Sequence, residues 1–257
     1  MKLGKITCIT ALFVCTLIYA QSYSEPPIVE DQPIPELVLI YSKTSGYRHQ
    51  SIEKGAETIK QIGRENGFIV LRTETPSDIN DKNLKNYKLV IFLNTTMDVL
   101  NNDQQRAFEN YIRAGGSFFG IHAAADTEYD WPWYGKLVGA YFNGHPNDPN
   151  VRKATIQVVN KDHVSTAHLP DTWERNDEWY NFKNLNPDVT VLMNLDESSY
   201  EGGTNGENHP FAWYHEFDGG RAYYTGGGHT DESFDEPDFK KHLLGAIEWC
   251  LKRESKL

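Results

Sequence analysis

Between residues 36 and 121 the apolar period of the chain switches repeatedly between that of a strand and that of a helix, and no other feature narrows the choice of folds as far. Leu37-Val38-Leu39-Ile40-Tyr41 is an unbroken apolar run of strand length, the pattern of a strand covered on both faces. From about Ser51 to Asn66, Ile52, Ala56, Ile59 and Ile62 instead form one stripe of a helix, which Gly67 ends. Phe68 to Leu71 and Tyr87 to Leu93 read as strands, Asp103 to Ala114 as a helix stopped by Gly115-Gly116, and Ser117 to Ile121 as another strand. Strands alternating with helices pair in parallel and carry helices on both faces, so the series predicts an α/β domain with a mostly parallel sheet.

The second half is less regular. Lys153 to Val159, Val189 to Leu195, Phe211 to Glu216 and Gly220 to Thr225 read as strands, the last two joined at Asp218-Gly219 as a hairpin. Pro237 to Lys252 reads as a closing helix. Residues 161 to 188 and 197 to 210 are expected as polar loops, long enough to be functional in a compact domain. The second of these, with Gly202, Gly203 and Gly206, fits a lid or an ordinary exposed loop. No repeat and no linker follows residue 35, so residues 36 to 257 are expected as one domain. With 39% hydrophobic and 12% aromatic residues, the chain as a whole can bury a core unaided.

The N-terminus is different in kind. Lys2 and Lys5 precede an apolar run that ends at Ile18-Tyr19-Ala20, the pattern of a secretory signal peptide over residues 1 to 20. A lipoprotein signal using Cys15 is the alternative, but Leu12, Phe13 and Val14 put bulky residues where small ones are needed. Export across the inner membrane to the periplasm is therefore expected. Residues 21 to 35, with four prolines, read as a flexible leader. Cleavage removes Cys8 and Cys15 and leaves Cys250 alone, so no internal disulfide is expected. It also takes the formal charge from −11 to −13, which disfavours nucleic acid and anionic membranes as partners. No other segment is long and apolar enough to span a bilayer.

Strand order then places histidines. Ligands of an open parallel sheet bind at the carboxyl ends of its strands. His49 lies in the loop after the first strand, His122 ends the strand 117 to 121, and His229 follows the strand 220 to 225. Three histidines distant in sequence are thus expected at one rim. Neutral imidazoles with one carboxylate suit a divalent transition metal such as zinc, manganese or nickel, with an open coordination position. Asp126, just beyond His122, and Glu178 are the candidate carboxylates. With no compact H-x-x-x-H signature, the spacing fits a metal centre, an acid/base cluster or three imidazoles that bond strand-end carbonyls.

Other chemistries find less support. Gly226-Gly227-Gly228 lacks the Lys-Ser/Thr of a phosphate loop, so no nucleotide is expected. No serine stands at a nucleophile elbow, and no spacing singles out the paired carboxylates of a glycosidase.

Several motifs in one order resemble the ThuA-like (trehalose utilisation) family over about residues 36 to 254. They are Gly46-Tyr47-Arg48-His49, Gly120-Ile121-His122-Ala123-Ala124-Ala125-Asp126-Thr127, Trp131-Pro132-Trp133-Tyr134, Gly144-His145-Pro146, Asp177-Glu178-Trp179-Tyr180 and Gly220-Arg221-Ala222-Tyr223-Tyr224-Thr225 with Gly228-His229. The resemblance implies a flavodoxin-like fold of the class I glutamine amidotransferase type. There the turn after the central strand carries a catalytic cysteine, and His122 holds that place here. A histidine cannot form the thioester of glutamine hydrolysis, so amidotransferase activity is expected to be absent.

The resemblance also implies a carbohydrate substrate, processed by way of 3-keto sugars. On that expectation His49, His122 and His229 hold the metal or share the base role, and Glu178 or Asp126 is the carboxylate ligand or acid/base. His145, Arg48, Trp131, Trp133 and Tyr134 are the expected substrate contacts. The three aromatic residues fit core packing equally well, with Asp130 able to cap a helix that has Pro132 in its first turn. A non-catalytic sugar-binding module is the alternative function.

Overall fold

The computed structural model describes residues 35–253. The expected signal peptide and the leader up to residue 34 lie outside the described residues, as do Cys8 and Cys15. The alternating first half folds as β1 (Glu36–Tyr41), α1 (Ile52–Asn66), β2 (Phe68–Thr73), the short α2 (Asp81–Leu84), β3 (Leu89–Leu93), α3 (Asn102–Arg113) and β4 (Ser117–Ile121). The apolar runs become the strands because β3 and β4 are buried at every position. Gly67 ends α1 in the left-handed conformation at φ 73°, and Asn101 opens α3 through a capping box with Gln104.

The second half adds α4 (Pro132–Val138), β5 (Tyr141–Phe142), β6 (Val151–Val158), β7 (Thr172–Glu178), β8 (Phe182–Lys183), β9 (Thr190–Asp196), β10 (His209–Phe217), β11 (Gly220–Thr225) and α5 (Pro237–Cys250). β5 and β8 pair with each other in a small separate ribbon. Asp218 and Gly219 both have positive φ, which matches a twisted two-residue hairpin turn between β10 and β11. Three expectations need correction. Residues 161 to 188 are not one loop but contain β7 and β8. The loop expected at 197 to 210 yields its last two residues to β10. Asp130 does not cap α4: Trp131 precedes the helix without a side-chain cap, although Pro132 does occupy its first turn.

One nine-stranded sheet runs in the order β2-β1-β3-β4-β11-β10-β9-β6-β7. The first five strands are mutually parallel, and with β11 as the fifth they have the 2-1-3-4-5 order of the flavodoxin type. The remaining four extend the sheet in antiparallel pairs. α1 and α5 cover one face, where Ile59, Ile91, Phe119, Tyr223, Leu243 and Ile247 are buried together. α3 and α4 cover the other, where Phe92, Phe108, Phe118 and Tyr134 make the aromatic centre. Both faces being covered is what commits the parallel strands to continuous apolar sequence. Among the described residues, no helix is long and apolar enough to cross a membrane.

Candidate functional site

The turn that ends β4 sets the site. His122 follows Ile121 with φ 48°, a left-handed conformation unusual for a residue with a side chain, and opens the 3-10 turn His122–Asp126. The sharp turn directs a fully buried imidazole across the carboxyl rim of the sheet. Its Nδ1 lies 2.8 Å from the carbonyl oxygen of Gly226, which can only accept, so Nδ1 carries the proton and Nε2 is left with a free lone pair. The Tyr180 ring lies against His122 with centroids 4.1 Å apart.

Three other elements bring groups to that lone pair. Oε2 of Glu178, at the end of β7, lies 3.3 Å from His122 Nε2. Nδ1 of His229, in the loop after β11, lies 3.3 Å from the same nitrogen and 3.0 Å from Glu178 Oε2. His49, in the turn before α1, presents its ring edge-on to both His122 and His229, with centroids 5.0 Å away in each case. Ser51 and Asn94 tie these loops together: both donate to the Gly228 carbonyl, at 2.8 and 3.1 Å. All of the histidines expected at the rim, and Glu178, are thus brought together.

Burial and the close approach of four titratable groups set the electrostatics of the cluster. Burial, reinforced by the neighbouring His122 and His229, pushes the His49 imidazole down to about 2, so it is neutral. Its Nδ1 is buried with no hydrogen-bond partner among the described residues. Burial alone would raise the Glu178 carboxyl, but the adjoining His122 and His229 rings outweigh it and hold the group well below the usual carboxylate range. One donor atom from each of His49, His122, Glu178 and His229 lies within 4.8 Å of the others, a set able to hold a metal ion. Donors about 2.0–2.1 Å from a tetrahedral zinc are separated by roughly 3.3–3.4 Å, close to the spacings among His122, His229 and Glu178. The bond from His122 Nδ1 to a backbone carbonyl is the support that metal-bound imidazoles usually have. Among the described residues, the surface grooves, one of 420 Å³ between α1 and α5 and one of 710 Å³ beside Arg175 and Glu236, hold no such set.

Of the remaining expected residues, two reach the rim. His145 Nδ1 is 3.5 Å from Glu178 Oε1 and 2.9 Å from its neighbour's carbonyl, and its ring stacks on Tyr180 at 6.0 Å. Asp126 lies in the His122 turn; burial raises its carboxyl, against a 2.5 Å hydrogen bond donated by the Tyr129 hydroxyl. The other four lie elsewhere. Arg48 is exposed and paired with Glu53 at 2.6 Å and Glu74 at 2.9 Å. Trp131 donates to Glu109, and Tyr134 is wholly buried with its hydroxyl on the Ala124 carbonyl. Trp133 donates to Asp218, which precedes β11, whereas His229 follows it; the two ends of that strand separate Trp133 from the site. Sequence reasoning missed Tyr180 as a neighbour of His122, and Asn94 and Ser51 as loop anchors.

The profile of the ThuA family, described as trehalose utilisation, matches residues 37–250. A ThuA-like protein from Bacteroides uniformis is 27% identical over 85% of this chain and 92% of its own, with a TM-score of 0.71. One from Parabacteroides merdae is 18% identical over 85% of this chain and 90% of its own, at 0.70. A β-galactosidase from Bacillus circulans sp. alkalophilus shares the fold alone, at 12% identity and 0.53, over 87% of this chain and 31% of its own. No curated protein matches the sequence. Together with the parallel half-sheet and the histidine that follows β4, the match over nearly the whole described chain assigns it: this protein belongs to the ThuA family.

Proposed function

We propose that this protein is an exported, metal-assisted enzyme acting on 3-keto-glycosides or related keto-sugars. The single observation that carries the metal reading is the convergence of His49, His122, Glu178 and His229, with a buried nitrogen on His49 that has no partner among the described residues. The family description supports a carbohydrate substrate. Lys2 and Lys5 before an apolar run ending at Ala20 support export to the periplasm.

In this reading the four residues hold a divalent ion, zinc, manganese or nickel. Bound there, it would supply Lewis-acid polarisation of the substrate's ketone oxygen. A ketone at C3 makes the C2 hydrogen acidic. With Glu178 committed to the ligand set, Asp126 takes that proton; the C2 electron pair forms the C1–C2 double bond as the C1–oxygen bond breaks. Asp126 then returns the proton to the departing oxygen. Water added across the new double bond would make the net reaction a hydrolysis. His145, at the rim, bonds a sugar hydroxyl.

Elemental analysis of the full chain beside His122→Ala, followed by incubation of both with 3-keto-glycosides, tests the proposal. Near-stoichiometric metal and turnover, both lost in His122→Ala, are expected. Metal-independent sugar binding with no product after long incubation would replace the enzyme reading with that of a binding module.

A further inference from the structure

Asp177 is fully buried, and the chemistry proposed above makes no use of it. Its two carboxylate oxygens collect five donors. Oδ1 accepts from the backbone N–H of Glu178 at 3.0 Å and of His229 at 3.1 Å. Oδ2 accepts from the N–H of Gly228 at 2.9 Å and from the Ser233 hydroxyl at 2.9 Å, and lies 3.2 Å from Arg175 Nη2. Arg175 is itself fixed, by Glu236 at 3.1 Å and by the rings of Trp173 and Phe239. The carboxylate therefore has an immobile counter-charge on one side and the backbones of two site residues on the other.

The glycine run explains how the loop comes so close. A Cβ on Gly227 would clash with Arg175 Nη1 and lie 3.3 Å from Asp177 Oδ2. Gly228 has φ 113°, which side-chain-bearing residues rarely adopt. Successive N–H groups of Gly228 and His229 thereby form a small anion-binding concavity. The anion it holds is the chain's own Asp177.

We infer that Asp177 is the positioning residue of the site: by gripping the backbones of Glu178 and His229 at once, it sets the separation at which their side chains meet. The inference rests on the metal reading only for its affinity readout. A carboxylate is needed because every neighbour is a donor; the amide of Asn would turn an NH2 group against two of them and remove one of the two carboxylates that face Arg175.

The test compares the full chain with Asp177→Asn and Ser233→Ala. Zinc affinity is measured by chelator competition and the cobalt-substituted site by visible spectroscopy. Magnetisation transfer between the His122 and His229 rings, whose centroids are 5.2 Å apart, is measured in the metal-free protein. Asp177→Asn is expected to weaken zinc binding about 10- to 100-fold, shift the cobalt bands and lose the ring contact, as loss of an outer-shell partner does. Ser233→Ala, which removes one donor, is expected to weaken zinc about 3-fold. A folded Asp177→Asn with wild-type affinity, spectrum and ring contact overturns the inference. If that variant does not fold, Ser233→Ala decides on the same readouts, wild-type values again overturning it. If the wild type binds no metal, the metal reading fails on its own, and the ring contact alone decides the role of Asp177.

Discussion

His229 Nδ1 lies 3.0 Å from Glu178 Oε2, although three strands separate β11 from β7 in the sheet. Four strand spacings in a flat sheet are about 19 Å. The antiparallel extension must therefore curl until the end of β7 returns over the parallel rim. Trp173 of β7 is buried in the same cluster as Phe239 and Leu243 of α5, so the sheet closes around that helix. The parallel half supplies the histidines, and the curl supplies the carboxylate.

Glu178→Gln separates charge from shape at that junction. The amide has the size of the carboxylate, so the fold should remain, but a divalent ion loses its only anionic donor. Zinc affinity should fall by more than about 100-fold, beyond the range for outer-shell partners. A competition titration checks this, and an unchanged affinity would remove Glu178 from the ligand set.

Tyr180 offers a contrast between ring and hydroxyl. Its ring packs against His122 and Phe142, at 4.1 and 4.3 Å, while its hydroxyl has no hydrogen-bond partner among the described residues. Tyr180→Phe should therefore stay within about 0.5 kcal/mol of wild type, whereas Tyr180→Ala should cost about 3 kcal/mol from the cavity it leaves beside His122. Urea denaturation of the metal-free proteins measures both. Equal losses would mean that the hydroxyl, not the ring, is the stabilising part.

Trp133 is half-buried and packs against the core. It stacks on Trp131 at 5.1 Å and donates to Asp218 at 2.8 Å, at the far end of β11 from His229. Trp133→Phe should lower stability by about 1–2 kcal/mol through the lost hydrogen bond and ring contact, and leave metal affinity unchanged. A fall in zinc affinity at unaltered stability would place Trp133 functionally in the site.

These contrasts mark what the sequence could and could not reveal. β1, β3 and β4 are legible because strands covered on both faces are apolar throughout. His49, His122 and His229 follow from them, since the rim of a parallel sheet depends on strand direction alone. β7 was hidden because its inward positions are Trp173, Arg175 and Asp177, an ion pair where a strand normally places apolar groups, so Thr172–Glu178 reads as polar loop. Without β7 the role of Asp177 had no signal, and Glu178 could be named but not placed. The cluster Trp131, Trp133 and Tyr134 is ambiguous for another reason: aromatic content is the same whether a face is turned to the core or to a ligand.

The pH dependence of folding isolates a histidine outside the site. His242 is fully buried; its Nδ1 bonds the Ser165 carbonyl at 3.0 Å and its Nε2 lies 3.1 Å from the Thr225 hydroxyl, an arrangement for the neutral ring. Burial is the main cause pushing it down to about 3, against an unfolded value near 6.5. With the folded value depressed, the unfolded chain takes the proton first. The stability from His242 is full above pH 6.5 and is lost as pH falls towards 3, by about 1.4 kcal/mol per unit. From pH 6.5 to 5 that is about 2 kcal/mol, and His49, pushed down to about 2, adds a similar loss in the metal-free protein. His242→Gln will be less stable at every pH, since Gln cannot restore both bonds, but its stability should fall with one proton less of slope over this window. Urea titrations at half-unit pH steps measure that slope; identical slopes would mean that His242 is protonated in the folded protein and that its burial does not keep it neutral.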